Sequence, residues 1–118
     1  MEFGVWCLVF SKYNVVLLMK RGAIIRVRQF LNEEGLNAFP AMFAEHRLLA
    51  SAFAGFISLE HSGSGATGRN NEVEVTLEFE SEALLKRWRS SSQHEQVAAR
   101  YRRYWTREPE IVLYSVRS

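Results

Sequence analysis

The side chains of this chain that could do chemistry near neutral pH are few. His46, His61 and His94 are its histidines, and their imidazoles exchange protons in the physiological range. His46 shares a helical spacing with Met42, Phe43, Leu49, Ala50 and Phe53, so its ring belongs to the apolar side of a helix. Burial there lowers its pKa, leaving it neutral and able to accept a proton. A core-edge histidine bonded to a backbone carbonyl has the same spacing. His94 stands inside Ser92-Gln93-His94-Glu95, a capping-box sequence, where work at a helix start competes with catalysis. His61 stands at the mouth of a loop. Trp88 follows Leu84 and Leu85 by four and three residues, which suits core packing or the wall of a substrate pocket. Arg28 and Gln29 are neighbours on one strand, so they face opposite sides of it, and either could bind an oxyanion. Tyr101, Tyr104 and Trp105 extend a second helical stripe.

Several chemistries are excluded by composition. All 13 acidic residues are Glu, so a Ser-His-Asp triad, an EF-hand loop and Asp-based Mg²⁺ sites are absent from these 118 residues. The single cysteine, Cys7, allows neither an intramolecular disulfide nor a Cys-based zinc site, and its solitude suits a reducing, cytoplasmic setting. No Gly-Lys pair exists to build a P-loop. Gly63, Gly65 and Gly68 fit the glycine spacing of a dinucleotide fingerprint, but an alternating strand follows them where a helix is required, so they read as a hairpin loop. No metal and no cofactor is expected on these grounds.

Positioning these residues takes one domain. Hydrophobic residues make up 47% of the chain, enough for a packed core at this length. Charge is unevenly spread: residues 32–82 sum to −7 and residues 86–107 to +6. With no RNP-like, helix-turn-helix or zinc-finger pattern, this reads as solvated faces and self-association rather than nucleic-acid binding. Residues 1–20 carry two apolar bursts, Val5–Phe10 and Val15–Met19, each too short to span a bilayer and split by Ser11-Lys12-Tyr13-Asn14. They predict an added strand or hairpin ahead of a domain over 21–118, not a signal peptide or a membrane segment.

Ala23–Leu31 alternates as a strand, and Asn32-Glu33-Glu34-Gly35 reads as a turn. Pro40 suits the first turn of a helix that Gly55 ends as a left-handed cap. Phe56–His61 is a short strand, Ser62–Asn71 a Gly/Ser-rich loop. Glu72–Glu80 alternates without a fault, with Val73, Val75, Leu77 and Phe79 on one face. Ser81 caps a second helix, Ser92 restarts it after Ser90-Ser91, Pro109 closes it, and Ile111–Val116 is the final strand. The order βαββαβ is the α+β, ferredoxin-like split βαβ arrangement, one antiparallel sheet with its helices on one face. The opposite face, bare and partly apolar, predicts a two-fold homodimer.

Two segments resemble a known family. Ala54-Gly55-Phe56-Ile57-Ser58-Leu59-Glu60 is similar to its strand entry. Phe79-Glu80-Ser81-Glu82-Ala83-Leu84-Leu85-Lys86-Arg87-Trp88-Arg89-Ser90, followed by His94, is similar to its helix start, tryptophan and histidine. The family is the antibiotic biosynthesis monooxygenase (ABM) domain group of the dimeric α/β-barrel superfamily, and the resemblance spans Ala23 to Val116, with Met19 as a second family-like start. It implies a dimer of facing sheets enclosing pockets. One branch resembles cofactor-independent monooxygenases: a phenol-like aromatic substrate, a quinol or polyketide, is deprotonated and its anion reacts with O₂. On that branch His46 and His94 are the candidate proton acceptors, and Trp88, Arg28 and Gln29 the candidate substrate contacts. A second branch degrades haem with the helix Trp, a His ten residues later and an Asn on the first strand. Here Ala98 stands ten residues after Trp88, His94 only six, and the strand offers Arg28 and Gln29. Other such domains are non-catalytic, dimeric ligand-binding or stress-related modules.

Overall fold

A computed structural model describes residues 22–62 and 71–116, with the backbone alone for 115 and 116. The expected strand or hairpin over residues 1–20 and the glycines of the 62–71 loop lie outside the described residues.

Among the described residues four strands and three helices follow one another as β1 (Gly22–Phe30), α1 (Glu33–Ala50), β2 (Phe56–Ser62), β3 (Glu72–Phe79), α2 (Glu82–Arg89), α3 (Ser92–Arg102) and β4 (Glu110–Val116). The sheet is antiparallel in the order β2-β3-β1-β4. This is the expected α+β, ferredoxin-like architecture. Strict alternation in β3 sets the register: Leu77 pairs with Ile25 and Val75 with Val27, and these side chains face the helices. Phe39, Met42 and Phe43 of α1, Leu85 and Trp88 of α2, and Val97 and Tyr101 of α3 close that face into one buried cluster. Among the described residues no helix is long and apolar enough to cross a membrane.

The helix starts differ from expectation in two places. α1 begins at Glu33, not at Pro40. Asn32 is a working cap: its side chain accepts from the Gly35 amide at 2.7 Å, and Glu33 and Glu34 sit favourably at the positive end of the helix. A Cβ on Gly35 would collide with the Tyr104 ring base, so the first turn of α1 packs where only glycine fits. Pro40 is carried inside the helix on its exposed side. At the other end α1 stops at Ala50, five residues before Gly55. Gly55 does adopt a left-handed φ of 88°, but in the turn into β2, where any side chain would also overlap Leu84.

Ser81 caps α2 as expected, accepting from the Leu84 amide at 3.2 Å. α3 is capped by Ser91 rather than Ser92: the Ser91 hydroxyl accepts from the His94 amide at 3.0 Å and donates to the Trp88 carbonyl at 2.6 Å. Ser91 wins because it satisfies both helix ends at once. α3 ends at Arg102, so Tyr104 and Trp105 leave the stripe; Trp105 instead bridges to Leu31.

The uncovered sheet face is less apolar than its sequence suggests. Ile24, Val112 and Tyr114 form one patch near β4, and the rest is a ladder of Arg26 and Arg28 with Glu72, Glu74 and Glu110. β4 is an edge strand, and Ile111, Val112, Leu113 and Tyr114 are all exposed.

Candidate active site

The helix layer lies over β3 and β1 but stops short of β4. Between α2, α3 and the sheet it leaves a cavity of about 230 Å³. Its floor is apolar: Ile25 and Val27 of β1, Val75 and Leu77 of β3, and Ile111 of β4. Trp88, His46 and His94 form the inner wall, and Trp105 and Pro109 the far end.

The tryptophan orders this wall. Trp88 is fully buried, with His46 of α1 stacked at 5.9 Å and 19° between ring planes, and His94 of α3 edge-on at 5.4 Å. Phe53 closes its other side at 5.1 Å. Trp88 is therefore both core and cavity wall, the two roles that its sequence spacing left open.

His46 is 8% exposed, and its Nδ1 lies 3.1 Å from the Tyr101 hydroxyl, a side-chain partner rather than the backbone carbonyl considered from sequence. Burial, with the nearby His94 adding to it, pulls its pKa down to about 4. The same burial, reinforced by Glu45, raises Tyr101, so the phenol stays protonated. His94 is half-buried. Desolvation and then the charge of Arg89 lower its pKa; Glu95 pulls the other way, and Arg102 adds a lesser lowering.

Gln29 is the most constrained polar group. It is 3% exposed, and its Oε1 accepts from the Trp105 indole N–H at 2.8 Å. An indole nitrogen can only donate, so this bond fixes which way the amide faces. The Gln29 NH₂ is left as a buried donor pair with no acceptor among the described residues, in a side chain that lines the cavity. A buried donor without a partner is costly, and an oxygen atom of a ligand would relieve it.

Arg28, the other strand candidate, is on the opposite face. It bridges Glu72 at 2.9 Å and Glu110 at 3.1 Å and does not line the cavity. His61 packs edge-on to Phe43 at 4.5 Å, also away from it. The structure thus brings together His46, His94, Trp88 and Gln29. Two residues that sequence reasoning counted only as surface charge join them, Arg89 and Arg102. A signal for Arg102 was present: His94, Ala98 and Arg102 recur every four residues and share one face of α3.

No three His, Cys or Glu side chains among the described residues are grouped to hold a metal ion. Haem ligation does not fit the wall either. Ala98, ten residues after Trp88, lines the cavity but has no ligand atom, and His94 is turned edge-on to Trp88.

The buried imidazole makes stability depend on pH. His46 holds a proton less well in the fold, at about 4, than in the unfolded chain, at 6.5. Between those values the unfolded state binds more protons, so stability falls as pH falls through this window. The loss reaches about 3 kcal/mol near pH 4. Urea unfolding at pH 7 and pH 4 is expected to show a loss larger in the wild type than in His46→Gln by about that amount; equal losses would contradict a buried neutral His46.

No family model matches the chain, and no curated protein matches it in sequence. Solved structures do match. A conserved protein from Methanosarcina mazei Go1 superposes with a TM-score of 0.73 at 12% identity, over 85% of this chain and 97% of that one. A mutant of SnoaB, a cofactor-independent oxygenase from Streptomyces nogalater, gives 0.67 at 13% identity, over 84% and 95%. An antibiotic biosynthesis monooxygenase gives 0.67 at 9% identity, over 78% and 95%. At these identities the likeness is one of fold. The chain has the fold of the antibiotic biosynthesis monooxygenase-type structures.

Proposed function

We propose that the protein is a small monooxygenase that oxidises an electron-rich aromatic substrate, a quinol or polyketide-like ring, with O₂ and without a bound cofactor. The observation that carries this reading is the apolar cavity lined by Gln29, whose amide is oriented by Trp105 and whose NH₂ has no acceptor among the described residues. The fold shared with a cofactor-independent oxygenase supports it.

The chemistry asks for little besides anion stabilisation. A phenol whose keto tautomer contains a CH₂ group loses one proton to give a delocalised anion. Addition of O₂ at that carbon and return of the proton give R₂CH–OOH. Loss of water leaves R₂C=O. One oxygen atom enters the substrate, the other leaves as water, and the substrate supplies all four electrons that O₂ takes up. The protein's part is to hold the ring, exclude water and stabilise the anion.

Magnitudes decide which residues matter most. A base held near 4, as His46 is, faces a phenol of ordinary pKa at a deficit of about six units, or about 8 kcal/mol. Proton removal therefore depends on a donor that lowers the substrate's pKa, which is the work of the Gln29 NH₂. His94, half-buried, pays less to become charged than His46 and is the better-matched acceptor. His46, tied to Tyr101, holds the Trp88 wall and is the secondary acceptor. Trp88, behind the imidazoles of His46 and His94, sets the wall beside which the ring lies. A non-catalytic binding module would use the same cavity without turnover; the oriented donor favours the oxygenase.

The proposed assembly is a homodimer in the cytoplasm. The uncovered sheet face, on which Val112 and Tyr114 of β4 are exposed, supports a second copy there. Sedimentation is expected to give twice 13.6 kDa; a monomer at micromolar concentration would refute the dimer.

Oxygen uptake tests the reaction. With 1,8-dihydroxyanthrone and simple quinols in EDTA-treated buffer, the wild type is expected to consume one O₂ per carbonyl formed. Gln29→Leu, which keeps shape and loses the donor, is expected to lower kcat by about 10²-fold with little change in KM. His94→Gln is expected to flatten the acid limb of the pH profile. Uptake no faster than the uncatalysed rate with every substrate would overturn the oxygenase reading.

A further inference from the structure

We propose that the substrate carries a carboxylate, and that Arg89 and Arg102 hold it at the mouth of the seam cavity while the aromatic ring lies inside. This rests on reading the cavity as the substrate site and adds the substrate's charge to it.

The charge of the lining is one-sided. The chain has 13 Glu against 15 Lys and Arg, yet among the described residues no Glu lines this cavity, and both formally charged residues that do are arginines. They come from different helices. Arg89 is the last residue of α2 and Arg102 the last of α3, so two cations are delivered to one opening by two independent elements. Both are exposed, whereas the floor beneath them is apolar.

Their existing partners leave them available. Arg89 has no carboxylate partner among the described residues. Arg102 meets Glu95 at 3.3 Å, with the side chains 49% and 66% exposed, a loose pair that a ligand carboxylate can replace. A guanidinium binds a carboxylate with two parallel N–H bonds, so a pair of them fixes both its position and its plane. Arg89 also lines a second, outer groove with Leu85, Lys86 and Leu113, so an anionic substituent at Arg89 has room to extend outward from the inner cavity.

A bound carboxylate would be felt at His94. The charged and titratable groups around this imidazole are Arg89 of α2, Arg102 and Glu95 of its own helix and His46 of α1; among the described residues the sheet lines the shared cavity with apolar side chains and the neutral Gln29. Both arginines disfavour the imidazolium. Neutralising them makes His94 a stronger base when the substrate is in place.

The test compares two ligands of one shape and different charge, 2-naphthoate and 2-naphthylmethanol, by calorimetry at pH 7 and low salt. Wild type is expected to bind the carboxylate at least tenfold more tightly. Arg89→Met and Arg102→Met, both exposed changes, are each expected to erase most of that preference while leaving alcohol binding and the melting temperature unchanged. NMR titration of His94 is expected to show its pKa rising with naphthoate and staying in place with the alcohol. Equal binding of the two ligands, or a preference that survives both substitutions, would overturn the carboxylate assignment and leave the cavity as an aromatic site. Binding of neither ligand would overturn the assignment together with the reading of the cavity.

Discussion

Trp88 is the contact on which the helix layer depends. α2 carries it, α1 stacks His46 upon it, the turn after α1 closes it with Phe53, and α3 sets His94 against its edge. One fully buried indole thereby fixes the mutual positions of three helices. It also fixes how far they reach over the sheet. They cover β3 and β1 and leave β4 bare, and the cavity is the wedge between the two conditions. Packing and site are therefore one construction, since the side chain that holds the core together is also the wall against which a ring would lie.

Burial also decides the chemistry available. In water a glutamine and two histidines are unremarkable polar groups. Here the Gln29 amide is turned by Trp105 so that its NH₂ has no acceptor among the described residues, and His46 is held neutral by desolvation. Among the described residues the site offers donors and cations and no carboxylate, and such a set stabilises negative charge rather than creating it. That suits a reaction in which O₂ meets an anion the substrate itself supplies, and it places less weight on a strong base than the histidine count suggests.

The fold was legible in the chain wherever the signal was local and periodic. The alternation of Val73, Val75, Leu77 and Phe79 located β3 and its buried face, and Ser81 marked the start of α2. Local signals failed where two competed. Asn32 beat Pro40 as the start of α1 because a formed cap and the packing of Gly35 on Tyr104 outweigh the cost of a proline inside the helix. Ser91 beat Ser92 because it also ties down the end of α2. For the site, His46, His94, Trp88 and Gln29 were visible as residue types on plausible faces. The bond between Gln29 and Trp105 joins residues 76 positions apart and leaves no trace in spacing. Arg89 was hidden by its abundance, one arginine among 12, until the tertiary structure set it at an opening.

The central claim is that the seam between helices and sheet, and not the uncovered sheet face, receives an aromatic molecule. Amide and indole chemical-shift mapping with 2-naphthol tests it most directly. The expected result is that the indole N–H signals of Trp88 and Trp105, the Gln29 side-chain amide and the backbone of Val75 and Leu77 shift together and saturably. Shifts confined to Arg26, Thr76, Val112 and Tyr114, on the open face, would contradict the account.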